Sequence, residues 1–330
     1  MRRYEILLCM VLLISSLLGC TRRVESDDPQ IRIGILTIGS SRAEKIEGMR
    51  KGLQEMGWTD KQVDYRIHDV NNNQERLVEG AKDLLALRPN IVVATGVVEA
   101  EAIFEAMKNT PPIPVVLIGV TSPSELELKN RFHASGIPVT GVDNGHVELT
   151  AKRIELLREL FPERQSVVVL YDPRLRASML ALQKANDAAQ QFDWKIEPVP
   201  VQNDRDIANL RSRIFTKGES MLILPSYYLE LKYKEIRDIS FKTRTPVMGL
   251  YETETYAGYT ASYGISYFDQ GYQSARLVAR MMTSKDNSDI PFEKPDVVQL
   301  KVNMKAIEQL DIAVSPIGMS YSEKIAVIRE

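Results

Sequence analysis

Residues 77–94, LVEGAKDLLALRPNIVVA, hold the unit from which the rest of the chain is read. Leu77, Ala81, Leu84 and Leu85 recur at helical spacing, so residues 73–87 are expected to form a helix with one apolar face. Pro89 stops it, because proline lacks the backbone N–H that another turn needs. Ile91-Val92-Val93-Ala94 follows with no polar position, as in a strand buried on both faces of a parallel sheet.

The same alternation continues in both directions. Residues 31–36 (IRIGIL) read as a strand. A helix follows with Ile46, Met49, Leu53 and Met56 on one face, ended by Gly57. Residues 63–70 and 114–118 are further strands, with a helix at 99–107 before the second. After Asp143 a new cycle begins. Helices at 148–161, 177–191, 204–215 and 231–241 alternate with strands at 166–170, 195–201, 220–224 and 246–250. A helix at 271–282, a strand at 296–302 and a helix at 304–310 close the chain. Such alternation predicts an α/β fold: two Rossmann-like lobes with parallel sheets, joined by a multi-crossover hinge. Residues 31–145 plus about 258–288 are expected in the first lobe, and 146–257 plus about 289–322 in the second.

The N-terminus carries a second message. Arg2 and Arg3 precede an apolar run over residues 6–18, closed by Leu17-Leu18-Gly19-Cys20. This is the layout of a secretory signal. The run is shorter than the roughly 20 residues that span a bilayer. Its Gly-Cys ending resembles the lipobox of bacterial lipoproteins. That resemblance implies a signal peptide of residues 1–19, lipidation of Cys20, and a body held at a membrane outside the cytoplasm. An ordinary secretory signal is the plainer alternative. Residues 21–30 (TRRVESDDPQ) are polar and read as a flexible tether. Arg22 favours the outer membrane in an enterobacterial-type envelope, so the choice between inner and outer membrane stays open.

Composition narrows the function. The formal charge of −2 and the absence of a basic stripe give no reason to expect nucleic acid. On the lipoprotein reading Cys9 leaves with the signal and Cys20 carries lipid, so no thiol chemistry, disulfide or cysteine metal site is expected in the body. His68, His133 and His146 lie far apart with no HExxH spacing. No phosphate-cradling loop and no GxSxG elbow occur. No metal, cofactor or catalytic residue is therefore expected, and the chain reads as a binder rather than an enzyme.

In open α/β sheets ligands meet the carboxyl ends of the strands. This selects Ser40 and Ser41 after the first strand, Thr95, Gly96 and Val97 after the third, and Thr121 and Ser122 after the fourth. Asp143 sits at the predicted crossover. Tyr171, Ser226, Tyr227 and Tyr251 follow strands of the second half, and Tyr263 lies close to a strand end. The hydroxyl residues serve equally well as helix caps. Asp143 either pairs with a ligand ammonium or caps the next helix. Glu99 and Glu101 either face a cation or favour the start of their helix through its dipole. Nine of the 13 tyrosines lie between Tyr227 and Tyr272, which suits a flat or cationic ligand, or simple packing between lobes.

Several blocks then point to a family. They are Gly52-Leu53-Gln54-Glu55-Met56-Gly57-Trp58, residues 84–96, Val139-Thr140-Gly141-Val142, and Lys152-Arg153-Ile154-Glu155-Leu156-Leu157. Val169-Leu170-Tyr171-Asp172-Pro173, Ser262-Tyr263-Gly264 and residues 295–310 complete the series. In this order they resemble bacterial ABC-transporter substrate-binding proteins, in the family that includes tryptophan/tyrosine transport binding proteins. The resemblance implies a type I periplasmic-binding-protein-like fold that closes on a small molecule, an amino acid and possibly an aromatic one, between its lobes. It also implies an ABC permease as partner and a monomeric body. The two acids Glu99 and Glu101 depart from the family's usual small, uncharged stretch there. A ligand sensor for a signalling partner is the alternative, and an extracytoplasmic enzyme a more remote one.

Overall fold

In the computed structural model, residues 30–108, 110–284, 287 and 290–329 are described. The signal, Cys20 and residues 21–29 of the tether lie outside them. Five strands form the first sheet: β1 (Ile31–Thr37), β2 (Val63–Asp69), β3 (Ile91–Ala94), β4 (Val115–Val120) and β5 (Val139–Asp143). Their order is β2-β1-β3-β4-β5, all parallel. Every residue of β3, β4 and β5 is buried, as expected of strands covered on both faces. The edge strand β2 is mixed in burial and carries Asp64, Arg66, His68 and Asp69.

Helices α1 (Ala43–Glu55), α2 (Leu77–Ala86), α3 (Val97–Met107) and α4 (Leu128–Ala134) connect these strands. The second sheet contains β6 (Ser166–Tyr171), β7 (Lys195–Pro200), β8 (Glu219–Ile223), β9 (Val247–Gly249), β10 (Ala261–Gly264), β11 (Gln299–Asn303) and β12 (Glu323–Ile325). Its order is β12-β11-β10-β9-β8-β6-β7, with β11 antiparallel to β10. Its helices are α5 (Thr150–Leu160), α6 (Arg176–Gln191), α7 (Asp204–Ser212), α8 (Tyr227–Leu231), α9 (Tyr233–Thr243) and α10 (Glu252–Tyr256). α11 (Tyr267–Thr283) returns to the first sheet, and α12 (Met304–Leu310) and α13 (Pro316–Met319) belong to the second.

Two expected boundaries are corrected. Ala261–Gly264, expected in the first lobe, pairs with β9 and β11 of the second sheet. The Thr260 hydroxyl fixes this register by bonding both the Val247 N–H and carbonyl, at 2.8 and 2.7 Å. The last crossing also comes later than residue 289. Glu293 bridges to Val142 at the first sheet's edge, and its carbonyl accepts the Asp143 N–H at 2.8 Å. Among the described residues the chain thus crosses between lobes three times, after β5, after β10 and after Glu293. Met56, expected on the buried face, is the C-cap of α1 and 46% exposed.

α1 and α11 lie unusually close, which small residues permit. A Cβ on Gly271 would stand 1.8 Å from the Lys45 carbonyl oxygen, and one on Gly48 2.0 Å from that of Phe268. Gly52 faces Ala275 in the same seam. This packing fixes Lys45 and the preceding Arg42 under the interlobe cleft.

Candidate functional site

A cavity of about 320 Å³ opens between the lobes at the carboxyl ends of both sheets. The first lobe contributes Arg42, Gln74, Val97, Val98, Glu101, Gly119, Thr121, Leu126 and Asn144. The second contributes Leu175, Arg176, Ala177, Pro225, Ser226, Tyr227, Glu230 and Tyr251. Eight of these 17 residues are polar or charged and the rest are apolar or aromatic.

One ionic network joins the walls. Glu230 of α8 accepts a hydrogen bond from Arg42 Nη2 at 3.3 Å and from the Tyr267 hydroxyl at 2.6 Å. Both donors belong to the first lobe, so Glu230 ties the lobes together. Arg42 also lies over the Tyr227 ring, 5.6 Å from its centre. Tyr251 and Tyr267 pack at 4.6 Å across the same boundary.

Beneath this, fully buried Glu99 accepts from the Ile38 N–H (3.0 Å), the Thr95 hydroxyl (2.8 Å) and Arg42 Nη1 (3.3 Å). Burial works against the Arg42 charge, but Glu99 and Glu230 outweigh it and raise the guanidinium's pKa. Glu99 thus faces a cation, and that cation belongs to the protein. Glu101 pairs with Arg131 through two bonds of 2.6 and 2.7 Å.

Lys45 is sealed below the cleft, where it donates to the carbonyls of Thr95 (2.8 Å) and Ile118 (3.2 Å). Burial, with Arg42 nearby, pushes its amine down to about 7. Between pH 7 and the ordinary lysine range, the unfolded chain therefore binds more protons than the folded one. Stability contributed by neutral Lys45 is expected to rise with pH across that window and to be lost as pH falls through about 7. Melting curves at pH 7 and 9.5 test this: Lys45→Met is expected to flatten the rise. An unchanged slope in the variant would refute it.

The first crossing is held by buried Arg153. It donates to the carbonyls of His146 and Tyr263, each at 2.8 Å, and its Nη2 lies 2.8 Å from His146 Nδ1. An arginine only donates, so Nδ1 accepts and the imidazole proton sits on Nε2. Burial and Arg153 hold His146 neutral by lowering its pKa well below the ordinary range. The ring meets Tyr251 edge-on at 4.7 Å.

Among the residues selected from sequence, Val97, Thr121, Ser226, Tyr227 and Tyr251 line the cavity. The others are placed differently. Ser40 and Ser41 are exposed, and Ser40 lines a groove along α1 instead. Thr95 is buried against Glu99. At the N-cap of α3, a Cβ on Gly96 would meet Arg42 Nη1 at 1.6 Å. Ser122 adopts φ 49° and donates its N–H to Asp143 Oδ1. Asp143 also accepts the Gly145 N–H, so its carboxylate shapes the crossing turn. Tyr171 and Tyr263 pack against the second lobe's core. Sequence reading missed Arg42, Glu230, Asn144 and Arg176. Arg42 and Lys45 share the helical face of Ile46 and Met49, and charges on an apolar face were the available signal.

Comparison with known proteins completes the picture. The profile of the family described as "ABC transporter substrate binding protein" matches residues 30–323. The chain belongs to this family. No curated protein matches this substrate-binding protein in sequence. Among solved structures, a conserved domain protein from Vibrio cholerae is similar at 20% identity and TM-score 0.78, covering 90% of this chain and 100% of that one. An ABC domain in complex with L-Trp from Streptococcus pneumonia gives the same identity, TM-score and coverage: 20%, 0.78, and 90% against 100%. A solute-binding protein from Bacillus halodurans with bound myo-inositol is 9% identical at TM-score 0.58, covering 86% of this chain and 98% of that one. At such identities the likeness is one of fold, that of type I periplasmic binding proteins. Among the described residues no helix is long and apolar enough to cross a membrane, and no group of His, Cys, Asp and Glu is placed to hold a metal.

Proposed function

We propose that this substrate-binding protein captures an amino acid, with aromatic ones first, and delivers it to an ABC permease. The observation that carries this reading is the cavity walled by strand ends of both lobes and bridged by Glu230. A ligand touching both walls favours the closed form, because only closure makes both sets of contacts at once. Tyr227 and Tyr251 offer aromatic faces, and a volume of about 320 Å³ suits a molecule of amino-acid size. The L-Trp complex of the streptococcal neighbour supports the choice. The body works as a monomer outside the cytoplasm, held by lipid on Cys20.

Thermal shift with the twenty amino acids, purines and sugars tests the ligand. A true ligand raises Tm as its concentration passes Kd and is recovered unchanged. A shift by sugars alone, or turnover of the ligand, would overturn the reading. For the anchor, Cys20→Ala is expected to release the protein from membranes, and globomycin to block its maturation. A Cys20→Ala protein that stays membrane-bound would remove the lipid from the account.

A further inference from the structure

We infer that Tyr267 is a positioning residue for ligand capture. Together with Arg42 it holds the second lobe's cavity wall against the first lobe before a ligand arrives. A ligand then locks a joined cleft instead of drawing parted lobes together. The inference stands apart from which ligand is carried.

Tyr267 opens α11, directly after the second crossing, and is 2% exposed. It is not among the residues that line the cavity. Its hydroxyl donates to Glu230 at 2.6 Å and its ring packs on Tyr251 at 4.6 Å, and both partners are wall residues of the second lobe. Arg42 meets the same wall, donating to Glu230 at 3.3 Å and lying over the Tyr227 ring. These contacts run directly between side chains of the two lobes.

What joining the lobes costs decides the direction. Both first-lobe partners are in place independently of the second lobe. Arg42 is tied to Glu99 and to the Thr95 carbonyl, at 3.3 and 3.0 Å. Lys45 Nζ lies 4.9 Å from the centre of the Tyr267 ring, and one turn further along α11 Gly271 packs on the Lys45 carbonyl. Joining therefore orders few side chains, and little entropy opposes it. One new charge leaves water, that of Glu230, whose side chain is 14% exposed. It gains two bonds in return, one of them from a cation. Tyr251 and Tyr267 bury aromatic faces in the same step.

The test reads the lobes without a ligand. Residues 21–330 contain no cysteine, so after Cys9→Ser and Cys20→Ala two added thiols report the lobes alone. Glu105→Cys on α3 and Gln183→Cys on α6 are exposed positions on helices of opposite lobes. Spin labels there give the interlobe distance by pulsed electron resonance, in protein stripped of small molecules with guanidinium, dialysed and refolded. A short distance is expected to predominate in this background. Tyr267→Phe, which loses only the hydroxyl, is expected to shift the ratio of joined to parted lobes about tenfold towards a longer distance, the effect of one hydrogen bond to a charged group. Glu230→Leu is expected to part the lobes at least as far, and Tyr267→Phe added to it to part them no further. A background protein already parted like Glu230→Leu would overturn the inference. So would a Tyr267→Phe protein whose Tm falls while its distance stays, or one in which the two substitutions part the lobes additively. Joined lobes in the background and parted lobes in both variants, with no Tm shift by any amino acid, would uphold the inference and end the amino-acid reading.

Discussion

Glu99→Ala is expected to lower Tm by roughly 6–10 °C, from a loss of about 3–5 kcal/mol. The reason is what the carboxylate leaves behind. Arg42 would stay buried with one anionic partner instead of two, the Ile38 N–H would lose its acceptor, and the Thr95 hydroxyl would have to turn to the Leu36 carbonyl or the Thr37 hydroxyl. These three donors come from the ends of β1 and β3 and from the turn before α1. One side chain therefore fixes the floor of the cleft. Glu99→Gln keeps the shape and one acceptor oxygen, and should cost less than the alanine. Calorimetry of both variants checks the order. If Glu99→Ala lost under about 1 kcal/mol, buried ion pairing would not be what holds this floor.

Gly271→Ala is expected to be comparably damaging, about 3 kcal/mol or more, although it adds a single methyl group. The methyl would lie 1.8 Å from the Lys45 carbonyl oxygen and 2.9 Å from the Met49 backbone nitrogen, so α11 must move away from α1. Because Arg42 and Lys45 ride on that segment, ligand affinity is expected to fall with stability. Gly80→Ala is the contrast. Its methyl would meet the His68 ring at 2.8 Å and a Val70 methyl at 3.0 Å, side-chain rather than backbone atoms, and the His68 ring is only partly buried. Helix propensity gains up to about 1 kcal/mol there, so the net change is expected to be small. Equal losses at the two positions would show that helix separation is not the cause.

The two lobes were legible in sequence because a parallel strand buried on both faces has no freedom to be polar. Ile91–Ala94 and Val115–Val120 announce themselves for that reason. β10 was not legible, because Ala261-Ser262-Tyr263-Gly264 carries no apolar run. β10 has only four residues, and its place in the second sheet depends on the Thr260 hydroxyl and on β11, which lies nearly forty residues further on. The same holds for Glu293, which joins the first sheet's edge through backbone bonds that no pattern of side chains records.

For the site, sequence determined which strand ends face the interlobe cavity, because chain direction in a parallel sheet puts all those ends on one side. It therefore reached Val97, Thr121, Ser226, Tyr227 and Tyr251. Only the tertiary structure decided which polar groups at those ends are spent. Thr95, Asp143 and Glu99 look available along the chain, yet each is committed to a neighbour 4 to 61 positions away or to the turn it shapes. Partnership between distant charges follows from the three crossings that bring Arg42 and Glu230 together, 188 residues apart in sequence. Burial and hydrogen bonding are properties of that meeting, and local spacing does not encode it.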